Sequence, residues 1–99
     1  MEKRELKILK GFKNKYKDLL EIKYIIGSFA RGDFNKNSDI DIVYSLKKEA
    51  LNKDAFEIIN NLVQIKEELQ NVFKRKVDLI DESTLNEIAK KYMKDKIDV

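Results

Sequence analysis

Two aspartates at alternate positions, Asp39 and Asp41, follow the pair Gly27-Ser28 with ten residues between. In an extended strand, side chains two residues apart project from the same face, about 6.6 Å from each other. Two carboxylates held this way repel each other, and a divalent cation between them removes that cost. Mg²⁺ prefers carboxylate oxygens and accepts phosphate oxygens as its remaining ligands. The spacing therefore predicts a metal site for phosphate chemistry.

A third carboxylate, Asp78, lies in the short apolar segment 76–80. If this segment forms a strand beside the one with the first two aspartates, three acidic ligands can hold two ions about 3.5–4 Å apart. In such a site one ion activates the attacking oxygen and the other holds the triphosphate during in-line displacement at phosphorus. Asp78 can also orient or deprotonate the incoming hydroxyl. Asp81 is a nearby rival for this position.

The glycine–serine pair fits the same kind of substrate. Gly27, at the end of a predicted strand, lets the backbone approach a ligand closely, and Ser28 adds a hydroxyl where residues 29–31 can form a short helical turn. The N–H groups of that turn would face a phosphate, and Arg31 can add a charge-assisted contact. The alternatives are that Ser28 only caps the turn and that Arg31 only forms a surface ion pair.

The composition excludes several kinds of chemistry. The 99 residues include no cysteine and no histidine, which excludes disulfides, thiol catalysis, Cys/His zinc sites and imidazole acid–base chemistry. The net charge of +3 gives no support for direct nucleic-acid binding or for attraction to a membrane. No apolar run approaches the roughly 20 residues of a membrane span, and the charged N-terminus does not resemble a signal peptide. We expect one cytoplasmic domain spanning residues 1–99.

Apolar periodicity predicts the order helix, strand, strand, helix, strand, helix, which is an α/β arrangement. The predicted strands are residues 22–26, 39–44 and 76–80, with a turn at residues 33–38. The first helix is predicted from Glu2 to about Leu20. The second helix is predicted to begin after Asn52 as its N-cap, and the third at Thr84, which is followed by Glu87 as in a capping box.

The last two helices are predicted to bury apolar stripes. The residues that the second helix is expected to turn toward the core are Phe56, Ile59, Leu62, Val63, Leu69, Val72 and Phe73. Those of the third helix are Leu85, Ile88, Ala89, Tyr92 and Met93.

The quoted motifs resemble a known family. Gly27-Ser28, ten intervening residues and Asp39-Ile40-Asp41 resemble the signature of the DNA polymerase β-type nucleotidyltransferase superfamily. The longer stretches GSFARG (27–32) and SDID (38–41) resemble its minimal nucleotidyltransferase (MNT) members. The likeness extends to the strand at 76–80 and to a terminal helix ending near residues 97–99, so it covers nearly the whole chain.

The resemblance implies a small mixed β-sheet flanked by helices, with a polymerase β-like core. It also implies Mg²⁺-dependent transfer of a nucleoside monophosphate from a nucleoside triphosphate such as ATP, with release of pyrophosphate. Gly27 and Ser28 would hold the triphosphate. Asp39, Asp41 and Asp78 would occupy the catalytic, metal-binding positions.

The resemblance further implies a protein partner. Short members of the family stand next to a helical HEPN ribonuclease toxin and act as its antitoxin, transferring AMP from ATP to a tyrosine hydroxyl as in type VII toxin–antitoxin pairs. A core of 99 residues lacks the domains with which larger nucleotidyltransferases hold the acceptor, so a docked protein must supply its own positioning. The alternatives are an antitoxin that neutralises its partner by binding alone, and nucleotide transfer to a small molecule or RNA.

Overall fold

The structure, a computed structural model, describes residues 3–33, 35, 37–87, 90, 93 and 95–99. The helices are α1 (Lys3–Lys15), α2 (Ser28–Arg31) and α3 (Ala55–Phe73), with short 3-10 helices at Lys48–Asn52 and Glu82–Thr84. The strands are β1 (Leu20–Ile26), β2 (Ile40–Leu46), β3 (Val77–Asp81) and β4 (Ile97–Asp98).

These strands form one mixed sheet in the order β3-β2-β1-β4. β1 pairs antiparallel with both β2 and β4, whereas β2 and β3 are parallel. Parallel neighbours need a long crossover between them, and α3 supplies it. The predicted α/β fold with a small mixed sheet and flanking helices is confirmed.

The main hydrophobic core lies between one face of the sheet and the helices α1 and α3. Leu9 of α1 and Ile65 and Leu69 of α3 are fully buried there. Ile40 and Ile42, at alternate positions of β2, point into the same core. The residue between these two isoleucines must therefore point to the opposite face of the sheet.

The second long helix begins later than predicted. Asn52 ends the first 3-10 helix, and Asp54 is the N-cap of α3, with its carboxylate accepting a 2.8 Å hydrogen bond from the Phe56 N–H. Asn and Asp are equally good N-caps, so sequence alone does not separate them. The first helix ends earlier than predicted, at Lys15 instead of near Leu20, because a turn at residues 16–19 leads directly into β1.

The predicted burial of the α3 stripe is partly wrong. Leu69 is buried, and Leu62 and Phe73 pack against the core. Four members of the predicted stripe are exposed instead: Phe56, Ile59, Val63 and Val72. The helix carries apolar residues over more of its circumference than the sheet and α1 can cover, and periodicity does not say which arc faces the core.

The C-terminal region also differs from its prediction. The Thr84 hydroxyl donates to the Asp81 carbonyl at 2.7 Å and Leu85 is extended, so Thr84 does not cap a helix. A helical hydrogen bond follows later, from the Lys90 N–H to the Asn86 carbonyl at 3.0 Å. The last residues form β4 rather than a helix end, because they complete the sheet beside β1.

Some predictions fall outside the described residues. They are the helical positions Glu2, Ile88, Ala89 and Tyr92, and the turn positions Phe34 and Lys36. No helix within the described ranges is both long enough and apolar enough to cross a membrane.

Candidate active site

The parallel pairing of β2 and β3 brings two of the predicted aspartates together. Asp41 and Asp78 are direct register partners, and both are half-buried on the sheet face opposite the main core. The charge of Asp78 acts on Asp41 and raises its pKa. Asp39 immediately precedes β2, and its charge also acts on Asp41. The three aspartates therefore share one end of the sheet.

The environment of Asp41 disfavours its charged form. Burial is the largest cause of its raised pKa, followed by the charges of Asp78 and Asp39 and by the hydrogen bond with Asp78. The nearby charge of Lys76 acts in the opposite direction and does not outweigh them. This is the electrostatic pattern that a bound divalent cation reverses, because it favours ionised carboxylates.

Gly27 lies directly against this carboxylate. The last residue of β1, Ile26, is the register partner of Asp41, and Gly27 follows with φ of +83°. A Cβ atom added at Gly27 would lie 2.6 Å from the Asp41 Oδ2, a distance that non-bonded atoms cannot adopt. Glycine is therefore required here both by its positive φ and by the close approach to the aspartate.

Ser28 begins α2, beside the aspartates. The Arg31 N–H donates to the Gly27 carbonyl at 3.1 Å, and the Gly32 N–H donates to the Ser28 carbonyl at 3.0 Å. Phe29 is 2% exposed and anchors this turn in the core. The structure thus brings Gly27 and Ser28 to the aspartate end of the sheet.

Arg31 is not turned toward the aspartates. Its Nε lies 3.2 Å from the Asp33 carboxylate in an exposed ion pair. This surface ion pair is the alternative role that the sequence analysis gave for Arg31. To contact a phosphate at the site, the side chain must leave Asp33, which costs little because exposed pairs contribute at most about 1 kcal/mol.

Arg75 holds the loop that leads to Asp39, and the sequence analysis missed it. Its guanidinium donates to the carbonyls of Asn35 and Ser38 and lies 5.3 Å from the centre of the Phe29 ring. The same loop is closed by the Asn35 N–H, which donates to the Ser38 hydroxyl at 2.8 Å. An arginine between a helix and a strand carries no local signal of this role, since its partners are 37 and 40 residues away.

Asp81 does not compete for the site. It is the register partner of Tyr44, three residues along β3 from Asp78, and therefore on the opposite face of the strand. Its carboxylate accepts hydrogen bonds from the Ser83 N–H and hydroxyl at 2.9 and 2.8 Å, which caps the second 3-10 helix.

The carboxylates of Asp39, Asp41 and Asp78 are of the ligand type that Mg²⁺ prefers. Within the described part of the chain, no three acidic side chains lie close enough together to hold one ion as placed. The Asp39 carboxylate lies instead 4.0 Å from the Lys76 ammonium. The predicted convergence of all three aspartates is therefore not found as placed, and Asp41 and Asp78 form the pair that the sheet brings together.

Carboxylates on adjacent strands are groups that can hold the divalent cations used in phosphoryl transfer. The chain belongs to the polymerase beta nucleotidyltransferase family, which residues 7–98 match. Family membership supports nucleotidyltransferase activity. Among curated proteins, no sequence matches the chain.

Solved structures with a similar fold include a toxin–antitoxin complex. It is described as the crystal structure of a toxin–antitoxin with AMP-PNP, and it matches with a TM-score of 0.66 and 22% sequence identity over 95% of this chain and 70% of that chain. At this identity the likeness shows the fold alone.

Proposed function

We propose that this protein is a nucleotidyltransferase that moves AMP from ATP to a hydroxyl group of a HEPN-type toxin, a tyrosine by the family resemblance, and acts as the toxin's antitoxin. The observation that carries the chemistry is the register pairing of Asp41 with Asp78 beside the close approach of Gly27. Family membership supports the same reaction class.

Each predicted site residue has a role in this proposal. Asp39, Asp41 and Asp78 would hold Mg²⁺, and Asp78 would also orient the attacking hydroxyl. Gly27 and Ser28 would bind the triphosphate through the N-terminal backbone of α2, and Arg31 would contact it after leaving Asp33. When bound, the metal would neutralise phosphate charge and favour loss of the hydroxyl proton. Asp41 and Asp78 would both stay ionised beside that cation, because its charge offsets their mutual repulsion, and their register pairing on β2 and β3 holds them side by side.

The proposed partner and nucleotide have separate support. The structure with the similar fold is described as a toxin–antitoxin, and its ligand AMP-PNP is an analogue of ATP. An acceptor that docks as a folded protein reduces the entropy cost of the reaction, because its hydroxyl is held in place before the attack. We propose that the pair acts in the cytoplasm.

The decisive experiment is intact-mass spectrometry of the proposed HEPN-type toxin after incubation with the chain, ATP and Mg²⁺. We expect a mass gain of one or more AMP units. The double substitution Asp39→Asn/Asp41→Asn should abolish the gain, because amides are poor magnesium ligands.

A matched control removes the same two charges elsewhere. Asp18 and Asp95 are exposed and lie outside the aspartate cluster, so Asp18→Asn/Asp95→Asn should leave the mass gain unchanged. A gain that survives the substitutions at Asp39 and Asp41 would contradict the proposed chemistry.

A second candidate is neutralisation by binding alone. The ion pair between Lys76 and Asp39 favours it, because it leaves the third carboxylate turned from the other two. In that case the Asp39→Asn/Asp41→Asn variant would neutralise the partner in cells as well as the unaltered chain does, with no AMP on the partner.

A further inference from the structure

The loop that leads to Asp39 is shaped by hydrogen bonds within itself. The Ser38 N–H donates to the Asn35 carbonyl at 3.0 Å, and the Asn35 N–H donates to the Ser38 hydroxyl at 2.8 Å. The Asn37 N–H adds a bond of 2.8 Å to the side-chain oxygen of Asn35. These bonds close a tight turn directly before Asp39. The direction of Asp39 therefore depends on how this turn is attached to its surroundings.

Arg75 attaches the turn to α2. Its Nη1 donates to the carbonyls of both Asn35 and Ser38. The centre of its guanidinium lies 5.3 Å from the centre of the Phe29 ring, within the range of cation–π attraction. Phe29 follows Ser28 in α2 and is 2% exposed. One side chain thus contacts both the turn before the first aspartate and the helix that begins the proposed triphosphate site.

The backbone beside Arg75 is itself fixed. The carbonyl of the next residue, Lys76, accepts a hydrogen bond of 2.9 Å from the Ile40 N–H, where β2 begins beside β3. The Val77 N–H donates to the side chain of Gln70 in α3 at 3.1 Å. Arg75 therefore reaches the turn from a backbone position that the sheet and α3 both hold.

We propose that Arg75 is a positioning residue that locks the turn before Asp39 against α2, and so increases the affinity of the site for Mg²⁺ and the triphosphate of ATP. A turn that is fixed before the ligand arrives does not have to be ordered on binding. The inference rests on the proposed function and adds to it the residue that keeps its site in place. Arg75 touches no reacting group in this role. It acts through the Ser38 carbonyl, adjacent to Asp39, and through Phe29, adjacent to Ser28.

The role needs a guanidinium and not a positive charge alone. A flat guanidinium can lie against an aromatic ring while its N–H groups, which form a rigid fork, donate to carbonyl oxygens. An ammonium is a compact point charge without that geometry. Arg75→Lys keeps the charge and removes the fork, so it is the informative substitution. Arg4→Lys makes the same change at an exposed position of α1 and is the matched control.

The first measurement is amide hydrogen exchange of the chain without ligand, followed by NMR. The Ile40 N–H reports on the turn, because its acceptor, the Lys76 carbonyl, adjoins Arg75 in the chain. In Arg75→Lys we expect it to exchange about tenfold faster, the loss expected for charge-assisted hydrogen bonds. The Lys47 N–H, which donates to the Leu19 carbonyl at 3.0 Å at the other end of the β1–β2 pair, should exchange at its original rate. Equal acceleration at both amides would mean a general loss of stability and would overturn the proposal.

The second measurement is the melting temperature with ATP at increasing Mg²⁺ concentration, since ligands that bind only the folded state raise it. In Arg75→Lys the rise should need about tenfold more Mg²⁺, which is within the range by which outer partners of metal ligands change metal affinity. In transfer assays with the toxin, the KM for Mg²⁺-ATP should rise by a similar factor. The kcat should stay within about twofold, because no group at the reacting atoms is lost. Arg4→Lys should match the unaltered chain in all of these.

A second variant tests whether Arg75 acts through the turn. Ser38→Ala removes the hydroxyl that accepts the Asn35 N–H, so it loosens the same turn from within. Two changes that act on one element are not independent. The double variant Arg75→Lys/Ser38→Ala should therefore raise the Mg²⁺ requirement by less than the product of the two single effects. Effects that multiply would contradict a shared action on the turn.

Two further results would overturn the proposal. Weaker ATP binding in Arg75→Lys with an unchanged Ile40 exchange rate would make Arg75 a direct phosphate ligand. An unchanged response to Mg²⁺ would make it a residue of structure alone, and no response in the unaltered chain would contradict the metal site and this proposal together. Failure of the proposed acceptor looks different: the unaltered chain would transfer no AMP to the toxin, while its Mg²⁺ response and amide exchange would still depend on Arg75.

Discussion

Carboxylates in two regions of this molecule have opposite environments. Glu82, beside β1, accepts hydrogen bonds from the Lys23 ammonium at 3.0 Å and the Tyr24 hydroxyl at 3.2 Å. The hydrogen bond from Lys23 is the largest cause of the lowered pKa of Glu82. Asp41 has a raised pKa instead, because it is half-buried and its closest charged neighbours are Asp78 and Asp39.

The same contrast appears a second time in the molecule. Glu68 of α3 accepts from the Tyr16 hydroxyl at 2.9 Å and the Lys15 ammonium at 3.2 Å, and its pKa is lowered, mainly by the bond from Tyr16. At Glu68 and Glu82 the chain supplies its own cation and hydroxyl donor. At Asp41 the chain gathers negative charge that the nearby charge of Lys76 does not outweigh. Such a cost to stability is common where a site serves function.

The largest effect is expected at Asp41, the carboxylate with the raised pKa. Asp41→Asn should reduce AMP transfer by at least about a hundredfold, because even outer partners of metal ligands cost up to that much. The same change removes a half-buried charge beside two like charges, so the free energy of unfolding should stay equal or rise. Transfer assays and urea unfolding measure the two quantities. Unchanged transfer, or a loss of several kcal/mol in stability, would show that Asp41 is a structural residue.

Gly27→Ala should have the next largest effect. The added Cβ would meet the Asp41 Oδ2 at 2.6 Å and also require a positive φ, so we expect a loss of about 2–3 kcal/mol in unfolding free energy. AMP transfer should fall as well, because the carboxylate must move.

Gly32→Ala is the matched control for Gly27→Ala. Gly32 also has a positive φ, +84°, but its ψ of 4° is left-handed helical, whereas the ψ of Gly27, -161°, falls in a region that essentially only glycine adopts. A Cβ at Gly32 meets nothing within 4 Å. The Gly32→Ala variant should lose about 1 kcal/mol of unfolding free energy, which is the cost of a positive φ. Its rate of AMP transfer should stay unchanged. Equal losses in the two variants would mean that neither the contact with Asp41 nor the unusual ψ of Gly27 adds to the cost of a positive φ.

The sequence predicts the positions of the aspartates better than it predicts which side chains of α3 are exposed or which ion pairs form at the surface. The parallel pairing of β2 and β3 places Asp78 beside Asp41, as the sequence predicts. The predicted convergence of Asp39 is not found as placed, because Asp39 precedes β2 and its carboxylate lies near Lys76. Which arc of α3 is buried depends on the sheet and on α1, so Phe56 was assigned to the core in error. The ion pair of Arg31 with Asp33 depends on the rotamers of two exposed side chains, which no pattern specifies.

The third prediction concerns Glu82, the carboxylate whose pKa is lowered by partners within the chain. Glu82→Gln should lower the unfolding free energy by about 1 kcal/mol at neutral pH, because it weakens charge-assisted bonds to Lys23 and Tyr24 that are partly exposed. A lowered folded-state pKa gives stability that is present above the unfolded-state pKa and lost as the pH falls through the folded-state value. The difference between the two proteins should therefore close below about pH 4.

Urea unfolding across a pH series measures this difference. Glu49→Gln changes an exposed glutamate outside the network and should give a small difference that does not follow this pH course. A gap for Glu82→Gln that persists in acid would mean that packing, not charge, explains the contribution of Glu82.

The smallest effect is expected at Lys76, the cation that lies nearest to the functional aspartates. Its ammonium is 4.0 Å from the Asp39 carboxylate and largely exposed, so Lys76→Met should change the unfolding free energy by less than about 0.5 kcal/mol. Mg²⁺ should raise the melting temperature of the unaltered chain, because it binds the folded state. In Lys76→Met that rise should need less Mg²⁺, by a factor below about five, since one competing cation is gone.

Lys10→Met, at an exposed position of α1, controls for the lost charge and should leave the magnesium response unchanged. If Lys76→Met were as destabilising as Glu82→Gln and abolished the response to Mg²⁺, Lys76 would be the internal partner of Asp39. The aspartate cluster would then be a charge-balanced structural network like the one around Glu82. A small effect with a shifted magnesium response would instead mean that the cation which these aspartates require comes from outside the chain.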